Sequence, residues 1–207
     1  NADGKTPLQL AADNDHKAMV QLLGNVAGAD DNSAVATAVL NGDVVLLQKL
    51  IASKAALNTR NVNGQTPLML ASRNGHIAAV QALVNGRADL RMRDNESSTA
   101  LATAAHQGHL EILKVLLAAK APLHVENRQS QTPLMLAADA CHLDVVQFLI
   151  DAGVDLDAYE ADGFTALAIA ASTGLTDIVR VLVTANAAVD VCNHVGETAL
   201  IAAAAGG

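Results

Sequence analysis

Histidines recur at a regular interval in this 207-residue chain: His76, His109 and His142 stand 33 residues apart, and His16 occupies a related position. Imidazoles at fixed spacing raise the question of zinc, which needs each ligand about 2 Å from one ion. If the interval marks stacked helical layers, successive histidines lie on rungs about 8–10 Å apart. That is too wide for a shared metal, so each is read as a helix–helix turn residue with a hydrogen bond. His106 and His109 flank an expected helix end and receive the same reading. Serine, histidine and aspartate are all present, but none sits in a motif that positions a nucleophile. The glycines are isolated rather than clustered into a phosphate cradle. No catalytic residue, cofactor or metal is therefore assigned, and the chain is not expected to be an enzyme. Cys141 and Cys192 are too few for a disulfide framework. Both are read as small apolar filler in a reduced, cytoplasmic setting.

The elements that would position these residues must be thin. Hydrophobic residues make up 51% of the chain but aromatics only 1%, and 42 residues are alanine. A thick core normally contains large rings; small side chains suit layers whose backbones approach closely. With 16% charged residues the chain is not expected to be disordered. No run of about 18 apolar residues is present, so no membrane insertion is expected, and no signal peptide is visible at the start.

Thr-Pro-Leu or Thr-Ala-Leu begins at Thr6, Thr66, Thr99, Thr132, Thr165 and Thr198, the last five separated by 33 residues each. Thr supplies an N-cap oxygen, and proline at the next position is preset for helix. Leucine and alanine follow at helical spacing, as in Leu68, Leu70 and Ala71. Glycine near Gly75 ends a short helix in a left-handed cap. Ile77, Val80, Leu83 and Val84 then give a second amphipathic helix. Asn63-Gly64 and Asp162-Gly163 mark tight turns before the next threonine.

The Gly-x-Thr-Pro-Leu-x-Leu-Ala stretch at 64–71, the Gly-His pair at 75–76 and the Ala-Asp and Val-Asp pairs at 88–89 and 154–155 resemble the ankyrin repeat. The resemblance covers essentially the whole chain. It implies an all-α class: an α-solenoid of paired antiparallel helices with β-hairpin-like fingers. As one array, its repeats fall at about 1–31, 32–60, 61–93, 94–126, 127–158 and 159–191, with a partial one at 192–207. The second repeat has lost Thr-Pro-Leu, and the first finger, near 28–32, is expected to be shortened. Ser97 and Ser130 replace the turn glycine. The family's histidine after Thr-Pro-Leu is replaced throughout, by Met69 and Met135 among others. Gly207 falls where a first helix would end, and 199–205 is no polar cap, so the expectation is a portion of a longer protein.

Charge is banded. Residues 49–93 carry seven bases and one acid, whereas 94–207 carry four bases and fourteen acids. The basic band reads either as solvated surface or as a patch that steers an acidic peptide or a partner's complementary face. Nucleic acid is disfavoured: the band is short and has no aromatics for stacking.

The resemblance implies a binding surface along finger tips and first-helix ends. By phase these are Val62, Asn63 and Gln65; Asn95, Glu96 and Ser98; Arg128, Gln129 and Gln131; Ala161, Asp162 and Phe164; His194, Val195 and Glu197. The helix contributions are Asp13, Asn14, Leu40, Asn41, Arg73, Asn74, His106, Gln107, Asp139, Ala140, Ser172 and Thr173. The residues singled out are Tyr159, Phe164, Asp162, Arg128, Gln129, Glu96, Asn95, Asn63, Arg73, His106, Gln107 and Leu40. Tyr159 and Phe164 are read as exposed aromatic anchors for a partner, or else as packing on each other or the next finger; Phe148 is assigned to the core. The function expected is a non-catalytic scaffold binding a protein or peptide, not a small molecule. The alternatives are a targeting or regulatory module of a larger enzyme or channel, or a structural subunit of a large assembly.

Overall fold

The computed structural model describes residues 34–206. The chain forms two compact units, Asn1–Asn95 and Glu96–Gly207. The Thr6 cap, Asp13, Asn14, His16 and the shortened finger near 28–32 lie outside the described residues.

In the first unit, α1 (Ala34–Leu40) pairs with α2 (Val44–Ala52), and α3 (Pro67–Arg73) pairs with α4 (Ile77–Asn85). Helix α1 also packs on α3, and α2 on α4. The second unit repeats the plan with α5 (Ala100–His106) and α6 (Leu110–Ala118), α7 (Pro133–Asp139) and α8 (Leu143–Asp151), α9 (Ala166–Ser172) and α10 (Thr176–Thr184), and α11 (Ala199–Gly206). There α5, α7, α9 and α11 form one row, and α6, α8 and α10 the other. Among the described residues the helices run from seven to nine residues, and none is long and apolar enough to cross a membrane.

Threonine starts the first helices as its chemistry requires. Thr66, Thr99, Thr132 and Thr165 are extended, and each side chain accepts from the amide three residues on. In two repeats the bond is reciprocal: Met69 Sδ accepts from the Thr66 amide at 3.4 Å, and Met135 Sδ from Thr132 at 3.5 Å. A thioether thus stands where the family places histidine. Ala71, Ala104, Ala137 and Ala170 are fully buried, which lets each first helix approach its neighbours closely. Leu47, Leu83, Leu116 and Leu149 fill the layer beneath the second helices.

The turn between helices uses a left-handed residue. Gly75 and Gly108 hold it at φ 73° and 74°, and Cys141 at φ 64°. The histidine that follows reaches back one repeat. His76 donates through Nδ1 to Val39 O at 2.8 Å, and His142 through Nε2 to His106 O at 3.1 Å. The His142 ring lies over Gly108, where an added Cβ would stand 2.5 Å away. Among the described residues no group of three metal-ligating side chains converges.

Three sequence expectations are corrected. Cys141 and Cys192 are exposed free thiols, not core filler; Cys141 occupies the left-handed turn position, which points away from the layers. Phe148 is half-buried, because Val145, Val146 and Leu149 form the inward face of α8 and Phe148 stands at its edge. Phe164 is half-buried, not exposed.

Candidate functional site

Three fingers are organised in the same way by an asparagine at the first position. Asn61 Oδ1 accepts from the amides of Asn63 and Gln65 at 3.0 and 2.9 Å. Asn127 Oδ1 accepts from Gln129 and Gln131, both at 2.9 Å. Asn193 Oδ1 accepts from Val195 and Glu197 at 3.1 and 2.8 Å. In all three the asparagine also donates through Nδ2 to the side chain four residues later, at 3.4 Å (Gln65), 2.9 Å (Gln131) and 2.9 Å (Glu197). The fourth position is left-handed: Gly64, Ser97, Ser130, Gly163 and Gly196 have φ between 59° and 90°.

Successive fingers are joined tip to tip by backbone bonds of constant register. Within the first unit Asn95 N donates to Asn63 O at 3.0 Å. Within the second, Arg128 N donates to Glu96 O, Ala161 N to Gln129 O and His194 N to Asp162 O, at 2.9–3.1 Å. The backbone of the tips is therefore committed to the stack, while their side chains differ from finger to finger; that of Asn95 also joins the stack, donating through Nδ2 to Val62 O at 3.0 Å. Asn63, Asn95, Glu96, Arg128, Gln129 and Asp162 are all exposed, as are Leu40, Arg73, His106 and Gln107 at helix ends. Gln65 is buried by its clasp.

Finger 160–164 departs from the pattern of its two neighbours. At 160–164 the organiser is Glu160, whose Oε1 accepts from Asp162 N at 3.1 Å and Phe164 N at 3.5 Å. Its fifth residue is Phe164, where the fingers on both sides have Gln131 and Glu197. A carboxylate cannot donate to a ring, so the clasp is absent here. Phe164 instead lines a groove of about 540 Å3 within the second unit, together with Gln131, Asp139, Glu160, Ile169, Ser172, Thr173, Glu197, Ala202 and Ala205. Its walls are finger bases on one side and the first-helix row (α7, α9, α11) on the other. Asp139, Glu160 and Glu197 bring three carboxylates to it, and its lining holds no lysine, arginine or histidine. Tyr159 is 61% exposed and bridges Thr165 through the backbone, but it does not line the groove. Of the two aromatics, only Phe164 therefore lines the groove.

Six of the ten lining residues (Gln131, Asp139, Phe164, Ser172, Thr173 and Glu197) stand among the positions assigned by phase to a binding surface. Glu160, Ile169, Ala202 and Ala205 do not. Glu160 had a signal: positions 61, 94, 127, 160 and 193 all carry an amide or acid at the 33-residue interval. The basic band is partly structural. Arg60 donates to Gly64 O at 3.0 Å and to Arg93 O at 2.9 Å, and Lys54 and Arg87 take left-handed positions just after α2 and α4. Cations there oppose the negative ends of those helices.

A family model for ankyrin repeats (three copies) matches residues 35–127, 79–160, 119–191 and 134–207, and one for a single ankyrin repeat matches 3–34. A search of curated proteins finds no match. Thr-capped helix pairs, left-handed interhelix turns, tip-to-tip fingers and these matches over nearly all of the sequence agree: the chain belongs to the ankyrin-repeat family.

Proposed function

We propose that the chain is a non-catalytic interaction scaffold, which binds a partner protein or peptide across its finger tips and first-helix ends, with the groove at Phe164 as an anchoring point. Ankyrin repeats generally mediate protein–protein interaction. The observation that carries the reading is the finger 160–164: the one clasp position occupied by an aromatic opens onto a groove of peptide-accommodating size. Side chains that vary on a fixed backbone suit recognition. So does a half-buried ring among polar groups, since such anchors dominate binding energies. Acids on the groove wall disfavour nucleic acid.

A photoreactive residue tests this in extracts of the cell of origin. Placed at Asp162 or Thr173, beside the groove, it should yield a discrete cross-linked partner. Placed at Gln147, on the exposed side of α8, it should yield none. Cross-links from Gln147 alone would overturn the reading.

A further inference from the structure

The chemistry of the groove narrows the partner. Three carboxylates surround an apolar floor made by Phe164, Ile169 and the small face of α11 at Ala202 and Ala205. Glu160 uses Oε1 to hold its own finger, and Glu197 uses Oε2 to receive Asn193 Nδ2. Each retains a second oxygen for a ligand. Asp139 stands exposed at the last position of α7. Two ion pairs of this unit, Lys114–Glu111 and Arg180–Asp177, lie on α6 and α10 and involve none of the residues that line the groove. Burying three carboxylates under an apolar or acidic segment would leave them without counter-charge, which is strongly unfavourable.

We propose that the groove takes an arginine side chain from an extended basic segment of a partner protein. This rests on the scaffold reading above and names the chemistry of the occupant. The methylene stem and guanidinium plane lie against Phe164 and Ile169, and the planar fork donates to more than one carboxylate at once. Lysine offers a compact charge without the planar, stacking surface, so it fits less well. Contact between charges at a partly open site is screened by salt, so affinity falls as ionic strength rises.

The test uses the full chain and a displayed library of random dodecapeptides. Enriched peptides are synthesised with a fluorophore, and binding is read by anisotropy. The expected result is enrichment of arginine beside apolar residues. Replacing that arginine by citrulline, which keeps shape and loses charge, should weaken binding at least tenfold. Asp139→Asn and Glu197→Gln should each weaken it several-fold with unchanged circular dichroism, and lysine in place of arginine should bind less well than arginine. Two failures are distinguishable. If Phe164→Gln abolishes binding but citrulline is tolerated, the arginine proposal is overturned and the groove remains the site. If the peptides bind Phe164→Gln as well as the parent, or if no peptide is enriched, the groove reading falls with it.

Discussion

Fingers 127–131 and 160–164 follow one another in the same unit, share one backbone path and use it differently. In both, the first residue accepts from the amides of the third and fifth, the fourth is left-handed, and the tip joins the next finger's backbone. The asparagine finger makes its two bonds at 2.9 Å and closes its base with Asn127 Nδ2 to Gln131 Oε1. The glutamate finger makes them at 3.1 and 3.5 Å and has no side-chain clasp, its base being closed by backbone alone through Glu160 N to Phe164 O at 3.0 Å. Its fifth residue turns a ring to the groove instead. Finger 193–197, on the far side, returns to the asparagine pattern. The backbone of a finger therefore needs an acceptor at the first position and a left-handed residue at the fourth, while the fifth can leave the clasp and serve recognition. Longer side-chain bonds in one finger accompany the groove beside it.

The fourth position separates the two fingers most sharply. Gly163 has φ 90°, and an added Cβ would stand 2.8 Å from His194 N and 2.9 Å from Asn193 Cα, both backbone atoms of the next finger. Left-handed strain of about 1–2 kcal/mol and steric overlap of similar size make Gly163→Ala destabilising by about 2–4 kcal/mol in urea unfolding. Next comes the acceptor. Asn127→Ala removes two bonds to backbone amides and the clasp, and should cost about 1–3 kcal/mol. Glu160→Gln keeps an acceptor and should change stability by less than about 0.5 kcal/mol. At the position equivalent to Gly163, Ser130 already bears a Cβ at φ 59°. Ser130→Gly should therefore stabilise, by about 0.5–1 kcal/mol after the added freedom of the unfolded chain is counted. Opposite signs at equivalent positions would support the account of the turn; the same sign would break it.

The framework was largely legible because it repeats. Thr66, Thr99, Thr132 and Thr165 cap helices by local chemistry, and the interval of 33 places each next repeat. Ser97 and Ser130 were recognisable as substitutes in a left-handed position for the same reason. What the period could not show was the depth of individual side chains. The 33-residue phase alone sets the fifth finger position, and with it Phe164, at an exposed tip. It is a base, which is also why Gln65 is buried. Residue type alone makes both cysteines core filler, whereas Cys141 is placed by its turn and Cys192 by its loop. The acceptor row that includes Glu160 was visible in the spacing. Its role needed the hydrogen bonds, since Asn, Asp and Glu look like ordinary solvated polar residues until their amide partners are known.

The central claim is that finger 160–164 differs from its neighbours for binding and not for folding. The double variant Glu160→Asn, Phe164→Gln gives it the side chains of the clasped fingers. The decisive measurement is the affinity of this variant, beside its thermal midpoint, for an arginine peptide selected on the parent chain. The account predicts a midpoint within about 4 °C of the parent, or slightly above it, since a clasp is restored. It predicts at least tenfold weaker binding. Parent-like affinity at a parent-like midpoint would contradict it.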